Sequence, residues 1–127
     1  EDVANLLYDY LNKSGYKTFY SPVSIPNLGE SEYARVIDKA LEQSRVLIVI
    51  GSKADYFNTS WIYYEWSSFS NEIRSGRKPK AQVLTFTESV KVDDLPYGLR
   101  HIENIPFHKG RMSHSFEKIK SFLGTLG

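Results

Sequence analysis

Trp61 and Glu65 stand four residues apart in the stretch Thr59-Ser60-Trp61-Ile62-Tyr63-Tyr64-Glu65-Trp66. On an α-helix that spacing sets an indole and a carboxylate on one face. A flat aromatic beside a single acid suits a site that cleaves a nucleotide's glycosidic bond. The rest of the chain offers few other reactive groups. It has no cysteine and three histidines, His101, His108 and His114, spaced too widely to place on one metal. No metal site and no phosphate-binding glycine loop are expected. Each member of the pair also has an ordinary use. A lone glutamate near a helix start is commonly a solvated residue favoured by the helix dipole by about 0.3–1 kcal/mol. A tryptophan there is commonly a packing anchor. On the same helix Trp66 and Phe69 read as packing residues.

The composition bounds what this pair can belong to. At 127 residues, 41% of them hydrophobic, the chain is expected to be one domain burying roughly two-thirds of its unfolded surface. The net charge is +1, but residues 1–65 hold 6 basic and 9 acidic side chains and residues 66–127 hold 10 and 6. The basic residues of the second half are scattered and lack interleaved aromatics, so no nucleic acid partner is expected. The absence of cysteine excludes a disulfide scaffold and a thiolate nucleophile, and it fits a reducing, cytoplasmic compartment. The longest apolar run, 46–50, is far short of a membrane span, and neither a signal peptide nor a membrane partner is expected.

The elements that must position Glu65 follow from periodicity. Val3, Leu6, Leu7, Tyr10 and Leu11 recur at the helical period and Gly15 stops the run, which predicts a helix over 1–14. A short strand is predicted over 16–20 and a rigid loop over 21–29, with Pro22, Pro26, Asn27 and Gly29. A second helix follows, with Tyr33, Val36, Ile37, Ala40 and Leu41 as its buried stripe. The continuous apolar run in 45–51 predicts a strand covered on both faces. Residues 52–59 read as a loop and 60–74 as a third helix, with Ser60 as N-cap and Gly76 closing it. Strands at 81–86 and 101–107, a long connection over 87–100 and a terminal helix over 113–123 complete the order. Strands and helices in this alternation predict a doubly wound, flavodoxin-like parallel α/β sheet. Such sheets normally begin with a central strand, whereas this chain begins with a helix. The expectation is a missing first strand, filling the gap between the strands at 16–20 and 45–51, and a chain trimmed from a longer protein.

In this order the residues resemble a Toll/interleukin-1 receptor (TIR) domain, and the bacterial NAD-consuming branch in particular. The resemblance rests on "LNKSGYKTFY", "SPVSIPNLGES", "VIDKALEQSRVLIVIGSKADY" and "SWIYYEW" and is motif-level up to residue 86. It implies that the loop 21–31 covers a nucleotide pocket and mediates self-association. It implies that Glu65, preceded by Trp61, is the catalytic carboxylate. NAD⁺ enters as substrate and no cofactor is required. Its nicotinamide is a cationic leaving group that departs neutral, so the second carboxylate that ordinary glycosidases use as general acid is unnecessary. One acid can hold the ribose hydroxyls and stabilise the oxocarbenium-like charge.

Trp61 and Tyr64 would then supply aromatic walls to the pocket. Ser21, Ser24 and Ser52, placed in the loop or at a strand end, would meet ribose or phosphate oxygens. The activity implied is NAD⁺ glycohydrolysis, giving ADP-ribose or a cyclic isomer, switched on by oligomerisation in bacterial anti-phage defence. A fused sensor domain is expected. The competing expectation is a non-enzymatic TIR–TIR signalling adaptor, which has no need of a carboxylate at position 65. A phosphoacceptor receiver domain on the same kind of sheet would need a strand-end aspartate at the sheet centre, and no visible strand ends in one.

Overall fold

Val83, Leu84, Thr85, Phe86 and Thr87 are buried in succession, the pattern of a strand covered on both faces. They belong to the middle strand of a parallel sheet ordered β1 (Val46–Gly51), β2 (Gln82–Thr87), β3 (Glu103–Pro106). The computed structural model describes residues 3–20 and 30–126. Among these residues the helices are α1 (Val3–Lys13), α2 (Glu30–Gln43), α3 (Ser60–Arg74) and α4 (Met112–Thr125). The chain divides into two compact units, Glu1–Gln43 and Ser44–Gly127.

In the first unit α1 buries Leu7 and Leu11, four residues apart on one stripe. Its end is set by Gly15, whose φ of +96° lets the Tyr16 N–H donate to the Leu11 carbonyl at 3.0 Å. The Tyr8 and Tyr20 rings meet at 6.0 Å. In α2 Ile37 is buried and Val36, Ala40 and Leu41 are half-buried. That reproduces the predicted stripe except for Tyr33, whose side chain lies outside the described residues. Arg35 pairs with Glu32 on the exposed face.

The second unit holds the sheet. Register aligns Val49 with Thr85 and Phe86 with Ile105. On one face of β2 the Phe86 ring meets Phe107 at 4.6 Å and Phe116 of α4 at 6.1 Å, contacts that add to area burial. Thr85 and Thr87 alternate to the other face. There the Asn104 amide donates to the Thr85 hydroxyl at 2.7 Å and to the Thr87 hydroxyl at 3.1 Å. Helix α3 packs against β1 and β2, and α4 against β3. Gly76, with φ +85°, terminates α3, and the amides of Arg77 and Lys78 both close onto the Glu72 carbonyl.

Several expectations are corrected. Residues 16–20 form no strand. Their β-forming side chains are no substitute for a partner ladder, and the described residues provide none. Among the described residues the apolar run of β1 is not covered on both faces. Only Val49 is buried and its neighbours are half-buried, as befits an edge strand of the described sheet. The cap of α3 is Thr59 rather than Ser60, and it acts without a side-chain cap, its hydroxyl donating backward to the Tyr56 carbonyl at 2.8 Å. The last strand shortens to Glu103–Pro106. The connection before it contains two 3₁₀ turns, Val92–Asp94 and Tyr97–Leu99. The loop 21–29, and with it Ser21 and Ser24, lies outside the described residues.

Candidate active site

The site is built outward from the end of β1. Gly51 ends the strand, and the chain turns through the 3₁₀ segment Ala54–Asn58 before entering α3. Phe57 is fully buried within that turn. A side chain at Gly51 would bring its Cβ to 2.9 Å from Phe57 Cζ, so only glycine admits the ring against the strand end. The Phe57 carbonyl accepts a 2.8 Å hydrogen bond from the Trp66 indole N–H. A buried tryptophan needs such an acceptor. Turn and helix are therefore joined across nine residues of chain.

From this anchor the rest of α3 is oriented. Trp66 and Phe69 are buried, and the Lys78 ammonium lies 5.0 Å from the Phe69 ring centre. Tyr63, exposed, stands edge-on to Trp66 at 5.1 Å. Trp61 is half-buried and makes a perpendicular contact with the Tyr64 ring at 5.8 Å and 89°. Glu65 follows Trp61 by one turn, half-buried, and its carboxyl accepts no hydrogen bond from the described residues. Burial pushes its pKa up from 4.5 to about 7, desolvation being the cause. A carboxyl so placed has lost water without gaining a cation or a donor among the described residues, which is costly unless a ligand supplies a partner.

The first two turns of α3 thus bring Trp61, Tyr64 and Glu65 together. Ser52 is exposed in the bend just past β1 and makes no hydrogen bond to them. Ser21 and Ser24 cannot be placed beside Glu65, since they fall outside the described residues. Two surface cavities occur elsewhere. One of about 480 Å³ lies between β3 and α4, lined by Glu103, Ile105, His114, Glu117 and Phe122 among others. One of about 230 Å³ lies at the start of β1 and β2, lined by Ser44, Arg45, Lys78 and Lys80 among others. Glu65 lines neither of them. Its desolvated carboxyl carries more chemical meaning than their shape, because both are wide open to solvent. Among the described residues no group of three or more His, Asp or Glu side chains could hold a metal ion, and no helix is long and apolar enough to cross a membrane.

The helical period assigns Trp66 to packing, and no local pattern marks Gly98 as its neighbour. A Cβ on Gly98 would lie 3.0 Å from Trp66 Cζ3 and 3.5 Å from Cη2. The buried position of Trp66 is legible in the helical period, but its neighbour across 32 residues of chain is not. A family model described as a TIR domain matches residues 1–122 of the chain. No curated protein matches it.

Proposed function

Because the chain belongs to the TIR-domain family, a family of signalling modules some of whose members cleave NAD⁺, we propose that it is an NAD⁺ glycohydrolase with Glu65 as its catalytic carboxylate. The observation that carries this reading is the Glu65 carboxyl itself, half-buried, without a described hydrogen-bond donor and raised to about 7, one helical turn after Trp61. A docking module gains nothing from a desolvated acid. Its penalty is a cost to folding, and such costs concentrate where a ligand offsets them.

In the proposed reaction the bond from the ribose anomeric carbon to the nicotinamide nitrogen breaks, and nicotinamide leaves as a neutral ring with the bonding pair. Glu65 in its ionised form accepts hydrogen bonds from the ribose hydroxyls and faces the positive charge that develops at the anomeric carbon. Water then adds at that carbon and loses a proton, giving ADP-ribose. A hydroxyl or adenine nitrogen of the same molecule in place of water gives a cyclic isomer. Trp61 and Tyr64, already perpendicular to each other, form an aromatic corner against which a planar ring can stack. Ser52, at the C-terminal edge of β1 where ligands of open α/β sheets bind, is assigned to ribose or phosphate oxygens, as are Ser21 and Ser24 of the loop 21–31. That loop is also the proposed contact for self-association, and the role in anti-phage signalling with a fused sensor belongs to the same proposal.

Nicotinamide release from NAD⁺, followed over a range of protein concentrations and beside Glu65→Ala, tests the reading. Release that climbs more steeply than in proportion to protein and disappears in the variant is the expected result. No release from protein shown by light scattering to be assembled would leave the TIR–TIR adaptor as the function.

A further inference from the structure

Trp66 is 6% exposed and is gripped on two sides. Its indole N–H is held by the Phe57 carbonyl at 2.8 Å. The far edge of its ring lies so close to Gly98 that a single added methyl would stand 3.0 Å from Cζ3, tighter than carbon atoms normally approach. Gly98 belongs to the 3₁₀ turn Tyr97–Leu99, which is clamped to the core by the buried Leu95 and Leu99. Arg100 Nε reinforces the clamp by donating to the Leu95 carbonyl at 2.8 Å. The outer surface of the same turn is open. Tyr97 is 75% exposed, with Arg100 5.7 Å from its ring centre and His101 edge-on at 5.9 Å. One side of this short turn thus faces solvent, and the other rests on the residue next to Glu65.

We propose that Trp66 is the positioning residue of Glu65, and that the turn Tyr97–Leu99 sets the direction of the carboxylate through the contact of Gly98 with the Trp66 indole. This rests on the reading of Glu65 as the catalytic carboxylate. Consecutive helix residues move as one body when the helix rotates about its axis. A carboxylate carried about 6 Å from that axis shifts by about 1 Å for a rotation of about 10°. A displacement of about 1 Å at a reacting group can cost on the order of 100-fold in rate. The indole is the natural lever for such a rotation. Its hydrogen-bonded edge is fixed, so pressure on Cζ3 and Cη2 is passed to the helix backbone rather than absorbed by a free side-chain end. A ligand or protein that settles on Tyr97 and Arg100 would therefore act on Glu65 without touching the substrate.

The test uses Gly98→Ala, Trp66→Phe and the double variant, with two readouts: kcat and KM for NAD⁺, and the carboxyl ¹³C resonance of Glu65, assigned by its loss in Glu65→Gln. Alanine is compatible with the Gly98 backbone, since its φ is not positive, so the substitution acts through the indole. Gly98→Ala should lower kcat about 10-fold with KM changed less than about 2-fold, and should move the Glu65 resonance. In the Trp66→Phe background, where Cζ3 and Cη2 are absent, the same substitution should add nothing to either readout. Equal losses in both backgrounds would overturn the coupling. So would a Gly98→Ala protein whose Trp66 N–H resonance moves while that of the Glu65 carboxyl stays in place. If the parent protein releases no nicotinamide at any concentration, it is the glycohydrolase reading that fails, and the carboxyl resonance alone decides whether Gly98 acts on Glu65.

Discussion

Gly51 and Phe57 are in such close apposition that a methyl group on the glycine would lie 2.9 Å from the ring's Cζ and 3.1 Å from its Cε2. The turn between β1 and α3 is therefore folded back onto the strand end with no room for a side chain. Phe57 is fully buried, and its carbonyl is the acceptor of the Trp66 indole, so this contact begins a chain that runs from Gly51 to Phe57 to Trp66 and to the helix that carries Glu65. Gly51→Ala should destabilise the protein by about 1–3 kcal/mol, because an overpacked core responds by shifting rings and backbone. Urea unfolding followed by tryptophan fluorescence measures it well, since both tryptophans, Trp61 and Trp66, lie on α3. A midpoint unchanged from the parent's would show that the ring yields freely.

The pH dependence of turnover should report Glu65 directly. Its carboxyl is raised from 4.5 to about 7, and the proposed role requires the ionised form. For the free enzyme, kcat/KM should rise with pH through about 7 and level off above it, falling about tenfold per pH unit on the acid side. Bound NAD⁺ carries a cationic nicotinamide that favours the carboxylate, so the midpoint of kcat should lie below that of kcat/KM. Steady-state rates of nicotinamide release from pH 5 to 9 check both. A kcat/KM flat across that range would remove Glu65 from the rate-determining chemistry.

What the sequence disclosed and what it concealed divide along physical lines. Helix α3, β1, β2 and α4 are legible because periodicity and apolar runs are local signals. The Trp61–Glu65 pair is legible for the same reason, being a spacing within one helix. The residues 16–20 read as a strand because Tyr, Thr and Phe favour extended backbone. Strand formation is settled by a partner, which propensity does not report. The apolar run at 46–50 overstates the coverage of β1 for a related reason, since apolar content does not reveal whether a strand sits at the edge or the middle of a sheet. Gly98 was invisible because its meaning lies in Trp66, and no short-range rule joins a turn before β3 to a helix before β2.

Asn104 offers a test of the sheet's polar interior. Its amide satisfies the buried hydroxyls of Thr85 and Thr87, which are 0% and 1% exposed. Asn104→Ala strips both of this donor and leaves a space at the β2–β3 junction. A buried polar group deprived of its partner costs about 1–3 kcal/mol, and that loss should appear as a lower denaturation midpoint. Equal stability of the Ala variant and the parent would mean that water enters and replaces the amide.

Glu65 also makes the stability of the fold depend on pH. Its folded pKa, about 7, lies above the value of 4.5 expected for an unhindered glutamate. Between those two values the native state holds the proton more tightly than the unfolded chain does, so stability falls as pH rises through the window from about 4.5 to about 7. Below it both states are protonated and no penalty exists. Above it both are ionised and the penalty is complete. A rise of that size corresponds to on the order of 3 kcal/mol, reduced to about 2 kcal/mol because the side chain keeps some contact with water. Glu65→Gln has similar shape and no charge. It should therefore be more stable than the parent by about 2 kcal/mol at pH 8 and indistinguishable from it at pH 4, while releasing no nicotinamide. Thermal unfolding of both proteins across this range tests the sign as well as the size. A parent more stable than Glu65→Gln at pH 8 would mean that the ionised carboxylate has a partner in the folded protein, and the case for an acid held in readiness for substrate would fail.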